Sequence, residues 1–298
     1  MHITLKQIHV FTAVANCQSL TLAAERLFLS KAAVSMALSE FEKIMGKRLF
    51  DRINNRLVIN SEGRQLLPLA QELIERGQSI EHLFKSTSGL YGKLNIAASN
   101  TIGNQLLPAL LSRFRSQTGH LEQSLFIANT QKVCAKLVQF EADVALVEGE
   151  VDDANFIKQA WLEDSMCIIA ANDDSLATKA NLKYSDFDNS NWLLREPGSG
   201  SREYFIKSMA PNFANWHEVF QLGTTEAIIN SVSAGLGYAC LSEHSARQAI
   251  SANGVTKLPL ELPIKRQFWL VTHKNKYVNP LLEAFINHCE TWLPPRIN

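Results

Sequence analysis

No run of about 18 or more apolar residues occurs in the 298-residue chain, which excludes a membrane-spanning helix. Cysteine is scarce and poorly spaced for chemistry. Cys17, Cys134, Cys167, Cys240 and Cys289 are odd in number, far apart and form no CxxC, so neither a disulfide framework nor a thiolate zinc site is expected. Five reduced, mostly buried thiols are the simpler reading. Excess charge is absent too, with 29 Lys and Arg against 29 Asp and Glu. Catalytic fingerprints are missing: there is no GxSxG, HExxH or P-loop, and Gly235-Leu236-Gly237 lacks the third glycine of a dinucleotide-binding turn. The eight histidines are scattered, none at metal-ligand spacing. Catalytic residues, metal and cofactor are therefore all expected to be none. The N-terminus, Met1-His2-Ile3-Thr4-Leu5-Lys6, has no apolar stretch behind a basic patch, so a cytoplasmic location is expected.

What is present fits an ordinary globular chain. Hydrophobic residues make up 46% and charged residues 19%, enough apolar surface for two or three domains and too much for disorder. The zero net charge hides an asymmetry. Residues 1–60 hold eight Lys and Arg against four Asp and Glu, a balance of +4, whereas residues 91–298 balance at −3. A basic first module on a slightly acidic body points to a polyanionic partner for that module alone.

Residues 4–16 place apolar side chains at helical spacing, and a short helix follows Ser19-Leu20-Thr21. A third helix is expected from Lys31 to Met45, with Val34, Leu38, Phe41 and Ile44 on one face and Gly46 as its stop. Residues 20–45 thus have the proportions of a helix-turn-helix. Ala23 and Ala24 are small enough for the second helix to cross closely. Its outward positions, Lys31, Ala32, Ser35, Met36 and Ser39, are of the kinds a major-groove helix presents. Spacing alone leaves a plain three-helix core open. Residues 47–60 read as a hairpin turning at Asn54-Asn55, with Arg52 and Arg56 beside the tip, either a wing that reaches phosphates or a solvated charged turn.

Residues 61–88 read as one amphipathic helix about 40 Å long, with Leu83 and Phe84 ending its stripe. Such a helix needs a partner, most simply its own copy in a second subunit. Ser86–Gly92 reads as a linker. Beyond it, strand and helix signals alternate to the end of the chain, which argues α/β with mainly parallel sheets. About ten strands fit two small sheets better than one, with a cleft between two lobes.

The stretch Ser19-Leu20-Thr21-Leu22-Ala23-Ala24-Glu25-Arg26-Leu27-Phe28-Leu29-Ser30-Lys31-Ala32-Ala33-Val34-Ser35, with Phe41–Arg52 and Arg56–Gly63 after it, resembles the N-terminal module of LysR-type transcriptional regulators. The resemblance covers residues 3–65 almost without gaps. It implies a winged helix-turn-helix over 1–60, a linker and dimerisation helix with hinge over 61–91, and a two-lobed, periplasmic-binding-protein-like effector domain over 92–298. Lobe I would span about 92–163 and 268–298, and lobe II about 164–267. Thr21, Ser30, Lys31, Ala32, Ser35, Met36, Ser39, Arg52 and Arg56 are then the DNA-facing residues. Where the family usually has Gln-Pro this chain has Lys31-Ala32, a point charge in place of an amide reader, able to reach guanine acceptors or a phosphate. The implied partners are double-stranded DNA with dyad-related half-sites, a small-molecule effector, RNA polymerase, and further copies of the chain as dimers of dimers. Segments including Ala98–Asn104, Trp161–Asp164 and Leu194–Glu203 look most like the branch of the family typified by the regulators YeiE and CysL. That likeness implies a link to sulfur metabolism and small sulfur oxyanions.

Three places set hydroxyls and amides where a strand ends and a helix begins: Ser99-Asn100-Thr101, Ser199 with Ser201, and Thr224-Thr225. Such helix starts suit a small anion and, in α/β sheets, face the ligand cleft. Thr130 adds a hydroxyl, Arg195 and Arg202 would supply charge from lobe II, and Glu148 either selects a protonated ligand group or ties down an arginine. Simple helix capping, and an Arg195 paired with Glu148 or Glu196, are the plainer alternatives. Two rival functions also stand at this stage: a regulator switched by protein contacts without a small molecule, and a solute-binding receptor.

Overall fold

The computed structural model describes residues 2–54, 56–82, 90–149, 151–260 and 264–294. The N-terminal module packs three helices, α1 (Leu5–Cys17), α2 (Leu20–Leu27) and α3 (Lys31–Met45), beside a hairpin of β1 (Phe50–Ile53) and β2 (Arg56–Ile59). Each helix starts where a short polar side chain can catch a free amide. Thr4 and Gln7 form a reciprocal capping box on α1, Ser19 caps α2 and Ser30 caps α3. Helix α3 stops at Gly46, whose φ of 66° suits a residue without a Cβ. The core gathers the rings of Phe11, Phe41 and Phe50, with centroids 5.8 and 5.6 Å from that of Phe11, around Ala23, Ala24, Val34 and Leu38. The expected inner face of α3 holds at Val34, Leu38 and Phe41. It fails at Ile44, which is exposed because the 3.6-residue period that aligns Val34, Leu38 and Phe41 brings Met45 to the core instead.

Helix α4 (Ser61–His82) is capped by Asn60, whose side-chain oxygen accepts from Gly63 N at 2.9 Å while its amide donates to Arg48 O at 2.8 Å. One side chain thus fixes both the start of α4 and its seat on the hairpin. Leu67 and Ala70 are buried against the module, while Leu69, Leu73 and Ile80 remain exposed on another face. Asn55, Leu83, Phe84 and most of the expected linker lie outside the described residues.

The second region continues with β3 (Leu94–Ser99), α5 (Asn100–Gln105), α6 (Leu107–Thr118), β4 (Gln123–Ala128), α7 (Thr130–Val138), β5 (Val144–Glu148) and β6 (Phe156–Ala170). Then come β7 (Ser190–Arg195), α8 (Gly200–Tyr204), β8 (Trp216–Leu222), α9 (Thr225–Ser233), β9 (Ala239–Ser242) and α10 (Glu243–Ser251). The chain closes with β10 (Thr256–Leu258), β11 (Ile264–His273) and α11 (Pro280–Thr291).

The sheets differ from the expected pair of mainly parallel ones. Seven strands form one mixed sheet in the order β10-β6-β11-β5-β3-β4, with β9 also on β6, while β7 and β8 form a separate parallel pair. Only β3–β4 and β3–β5 are parallel in the large sheet. The cause is β6, whose fifteen residues pair with β11 over their first part and with β9 and β10 over their last. Its first part is largely exposed, so it carries no apolar run to announce a strand. One end of the sheet packs with α6 and α11 around Phe114, Phe268 and Phe285. The other packs around Trp192, Phe187, Phe205 and Phe213. β6 and β11 run through both, and their register shifts by a bulge between Gln267 and Trp269.

The junction of hairpin and α4 leaves no room at Gly63, where a Cβ would fall 2.4 Å from Leu49 O and 2.6 Å from Ile59 Cγ1. Gly63→Ala should therefore cost about 1–3 kcal/mol, read as a lowered urea midpoint of the N-terminal module. An unchanged midpoint would mean that the hairpin can shift freely on α4.

Candidate functional site

Two surfaces collect the polar residues singled out by the sequence. On the N-terminal module, burial of Val34, Leu38 and Phe41 turns the opposite face of α3 outward, and Lys31, Ala32, Ser35, Met36 and Ser39 are all exposed there. A recess of about 570 Å³ opens between the starts of α2 and α3 and the hairpin, and its walls include Thr21, Lys31, Arg52 and Arg56. A second recess, of about 630 Å³, lies across Ser35, Ser39 and Arg52 and adds Arg48, which the sequence reading did not single out. Among the described residues, Lys31, Arg52 and Arg56 hold no ion pair, so their charge faces solvent and is free for phosphates. Ser30 spends its hydroxyl as acceptor for Ala33 N at 3.1 Å, a structural duty at the helix start.

The other is a buried polar group where the two ends of the large sheet meet. Its centre is a residue the sequence reading missed, Arg266 on β11. The side chain is 2% exposed and its Nε donates to Asp164 Oδ2 at 2.7 Å. Nη1 reaches Ser201 Oγ at 3.1 Å, and Nη2 lies 3.4 Å from Thr101 Oγ1 and 3.0 Å from Glu148 Oε2. The second carboxyl oxygen of Asp164 accepts from Ser242 at 2.8 Å. Burial works against the charge of Arg266, but Glu148 and Asp164 outweigh it and hold the guanidinium above its ordinary pKa. A signal for Arg266 did exist. Ile264, Arg266, Phe268 and Leu270 alternate on the buried side of β11, so a cation occupies an apolar register position.

Several expected residues gather at this arginine. Thr101 lies in the first turn of α5 and Ser201 in the first turn of α8, on opposite sides of the cleft. Thr130 donates to Glu148 O at 3.1 Å and so steadies the end of β5. Ser99 is buried, and its Oγ has no hydrogen-bond partner and caps no helix. Glu148 Oε2 touches the guanidinium but accepts no well-aimed hydrogen bond, so that contact is Coulombic and leaves acceptor capacity free. The walls approach closely. A Cβ on Gly200 would sit 2.4 Å from Glu148 O, so only glycine lets α8 come this near, and Gln131 N donates to Gly198 O at 3.1 Å across the gap.

Other expected residues have different duties. Arg195 was expected to bring charge to the cleft. It is instead buried and forked onto Glu196, with Nε–Oε2 at 2.8 Å and Nη2–Oε1 at 3.0 Å, and its Nη1 donates to Thr225 at 3.3 Å. Arg202 likewise grips Glu218 at 2.6 and 2.8 Å. Both cations are matched by carboxylates within their own part of the fold, which leaves Arg266 as the charge between the walls. Thr224 is exposed and caps α9 through Ala227 N, Ser199 is buried without capping α8, and Asn100 is half-buried at the start of α5.

Among the described residues no group of three His, Cys, Asp or Glu could hold a metal, and no helix is long and apolar enough to cross a membrane. All five cysteines are unpaired. Burial pushes the Cys134 thiol up to about 11 and that of Cys240 up to about 12, the opposite of a reactive thiolate.

Residues 5–64 match the family model described as bacterial regulatory helix-turn-helix protein, lysR family, and residues 87–294 match the LysR substrate binding domain. The chain is 36% identical over 300 residues, covering 99% of itself and all of its relative, to the Escherichia coli (strain K12) protein described as an uncharacterized HTH-type transcriptional regulator YeiE. A full-length OxyR variant from Pseudomonas aeruginosa has a similar fold, with a TM-score of 0.78 at 19% identity over 98% of this chain and 96% of that one. The regulatory domain of CcmR from Synechocystis PCC6803, solved in complex with 2-PG, superposes with a TM-score of 0.63 at 24% identity, over 67% of this chain and 96% of that one.

Removing the guanidinium leaves two buried carboxylates facing each other. Arg266→Met should cost about 3–5 kcal/mol in urea denaturation, and adding Glu148→Gln should recover part of it. A loss no larger than that of an exposed arginine would contradict the buried charge cluster.

Proposed function

The chain belongs to the LysR family of transcriptional regulators, which are not enzymes, and from that premise we propose that it reads DNA through α3 and the hairpin and is switched by a small protonated oxyanion held at Arg266. The observation that carries the effector reading is the convergence of Thr101, Glu148 and Ser201 on one buried guanidinium from both walls of the cleft. Arg266 is outnumbered by Glu148 and Asp164, so the cluster bears a net negative charge. A fully ionised anion is repelled there. An oxyanion that keeps a proton carries less charge and meets less of this repulsion: its hydroxyl donates to Glu148 Oε2, and its oxygens accept from Ser99, Thr101 and the guanidinium. Hydrogen sulfite is a small member of that class, consistent with the sulfur-oxyanion expectation.

At the DNA end, α3 lies in the major groove with Lys31, Ala32, Ser35, Met36 and Ser39 toward base edges and with Thr21 and Ser30 at its rim. Arg52 and Arg56 hold the backbone or reach the minor groove. The exposed residues Leu69, Leu73 and Ile80 on α4 supply the face for a second subunit, which sets two modules on dyad-related half-sites. Dimers of dimers, contact with RNA polymerase and a cytoplasmic location complete the reading. The solute-receptor alternative fails to account for the matched DNA-binding module.

A thermal-shift series on the full chain with sulfite, sulfate, thiosulfate, phosphate, nitrate and carboxylates tests the effector. A ligand at 100 times its Kd should add about 2.7 kcal/mol, greatest for hydrogen sulfite at mildly acid pH and lost in Thr101→Ala/Ser201→Ala. Stabilisation by carboxylates alone would remove the sulfur reading, and none by any anion would favour a switch through protein contacts. For the DNA face, Arg52→Ala should weaken binding to all sequences alike and lower the salt slope by about 1. Loss confined to one base position would assign Arg52 to base reading instead.

A further inference from the structure

A second buried ion cluster lies at the opposite end of the strands that form the cleft. Lys276, just past β11, is 5% exposed and pairs with Asp143 Oδ1 at 2.7 Å and with Glu75 on α4. Asn279 donates to the other oxygen of Glu75 at 2.8 Å, and Gln71 one turn earlier on α4 donates to Phe140 O at 3.0 Å. Asp143 also accepts from Asn95 N, near the start of β3, at 2.7 Å. The linker helix is therefore fastened to the effector domain of its own chain by hydrogen-bonded charges. Burial opposes the charge on Lys276, but the two carboxylates prevail and raise its pKa.

The two clusters close the same pair of strands. β5 and β11 are antiparallel, with Ala145 opposite Val271 and Glu148 opposite Phe268. One end of the pair carries Glu148 and Arg266, and the other carries Asp143 and Lys276. The neighbouring β3 runs alongside from Asn95 to Ser99. Asp143 and Glu148 are five residues apart, roughly 17 Å along a strand. Val144, Ala145, Leu146 and Val147 between them are fully buried, and so close-packed a segment transmits a shift at one end to the other.

We propose that Lys276, Asp143 and Glu75 are the output latch of the effector cleft: β5 and β11 carry the state of the Glu148–Arg266 pair to α4, and so to the DNA-binding module. This rests on the reading that the effector engages Glu148 and Arg266. A ligand that draws Glu148 away from the guanidinium moves the end of β5 relative to β11, and the three-atom contact at Lys276 lengthens or breaks. Lys276 is a positioning residue, touching neither effector nor DNA. A buried ion pair adds little stability over a packed apolar contact, so its value here is a geometry that fails when one partner is displaced.

The test is hydrogen exchange on the full chain, with no ligand and no DNA. Glu148→Gln, an isosteric change at the cleft, should speed exchange of α4 amides 71–79 roughly 3- to 30-fold. Lys276→Met should do the same, the double variant should add nothing further, and Lys276→Arg should keep the response to Glu148→Gln. Uncoupled sites this far apart act additively, so additive effects overturn the proposal, as does an effect of Glu148→Gln confined to the cleft peptides. If Lys276→Met does not fold, Glu75→Gln, which removes one of the two carboxylates, replaces it in the cycle. The outcome is separate from the anion series: a chain that binds no oxyanion still passes or fails here, and one that binds an oxyanion with α4 unmoved loses only the latch.

Discussion

A guanidinium taken out of water must be matched by charge on several sides, and the two-lobed half of this protein is arranged around one that is. Arg266 can sit inside the sheet only because Asp164 arrives on β6, Glu148 on β5, Thr101 on α5 and Ser201 on α8. Each of those elements ends or crosses at the same point. Take away the arginine and two buried carboxylates confront each other; take away either carboxylate and the remaining charges no longer fix where the walls meet. The close approach of Gly200 to Glu148 makes the same demand in steric form, since a methyl group there would hold the cleft apart.

This arrangement explains why the other arginines near the cleft are quiet. Arg195 and Arg202 are each forked onto a glutamate of their own neighbourhood. Their charge is spent locally, and they brace α8 and the start of α9. Among the described residues, the group around Arg266 has that one cation, the carboxylates of Glu148 and Asp164, and hydroxyls, of which Ser99 has no partner. In the proposed reading such a set discriminates by protonation state as much as by shape, because each added negative charge is opposed by Glu148 and Asp164.

The DNA-binding module follows a different logic. Its interior is neutral and aromatic, and among the described residues Lys31, Arg52 and Arg56 stand outside with no ion pair. Between the two regions, α4 belongs to both. Its first turns are seated on the hairpin through Asn60 and Gly63, and its middle is held by Lys276 and Phe140 of the effector domain. In the proposed latch, a helix held at its start and its middle by directional contacts passes on a displacement that a purely apolar seat would absorb.

Much of this was legible in the sequence. The three helices and hairpin were readable because local rules fix them: Ser19 and Ser30 cap, Gly46 stops, Val34 and Leu38 recur at helical spacing, and Arg52 and Arg56 bracket a short turn. The same rules placed Ser99, Thr101 and Ser201 where strands give way to helices. The limits came where partners lie far apart in the chain. Arg266 meets Asp164 across 102 residues and Thr101 across 165, and Lys276 meets Glu75 across 201, distances over which no spacing rule operates. The half-exposed first part of β6 hid the strand that joins the lobes, and with it the single mixed sheet. By itself, then, the sequence determined which residues could serve as helix starts, turns and outward-facing cations, because those depend on neighbours within a few positions. Only the tertiary structure decided which charge occupies the cleft, because a buried ion is fixed by whichever opposite charges the folded sheet brings to it.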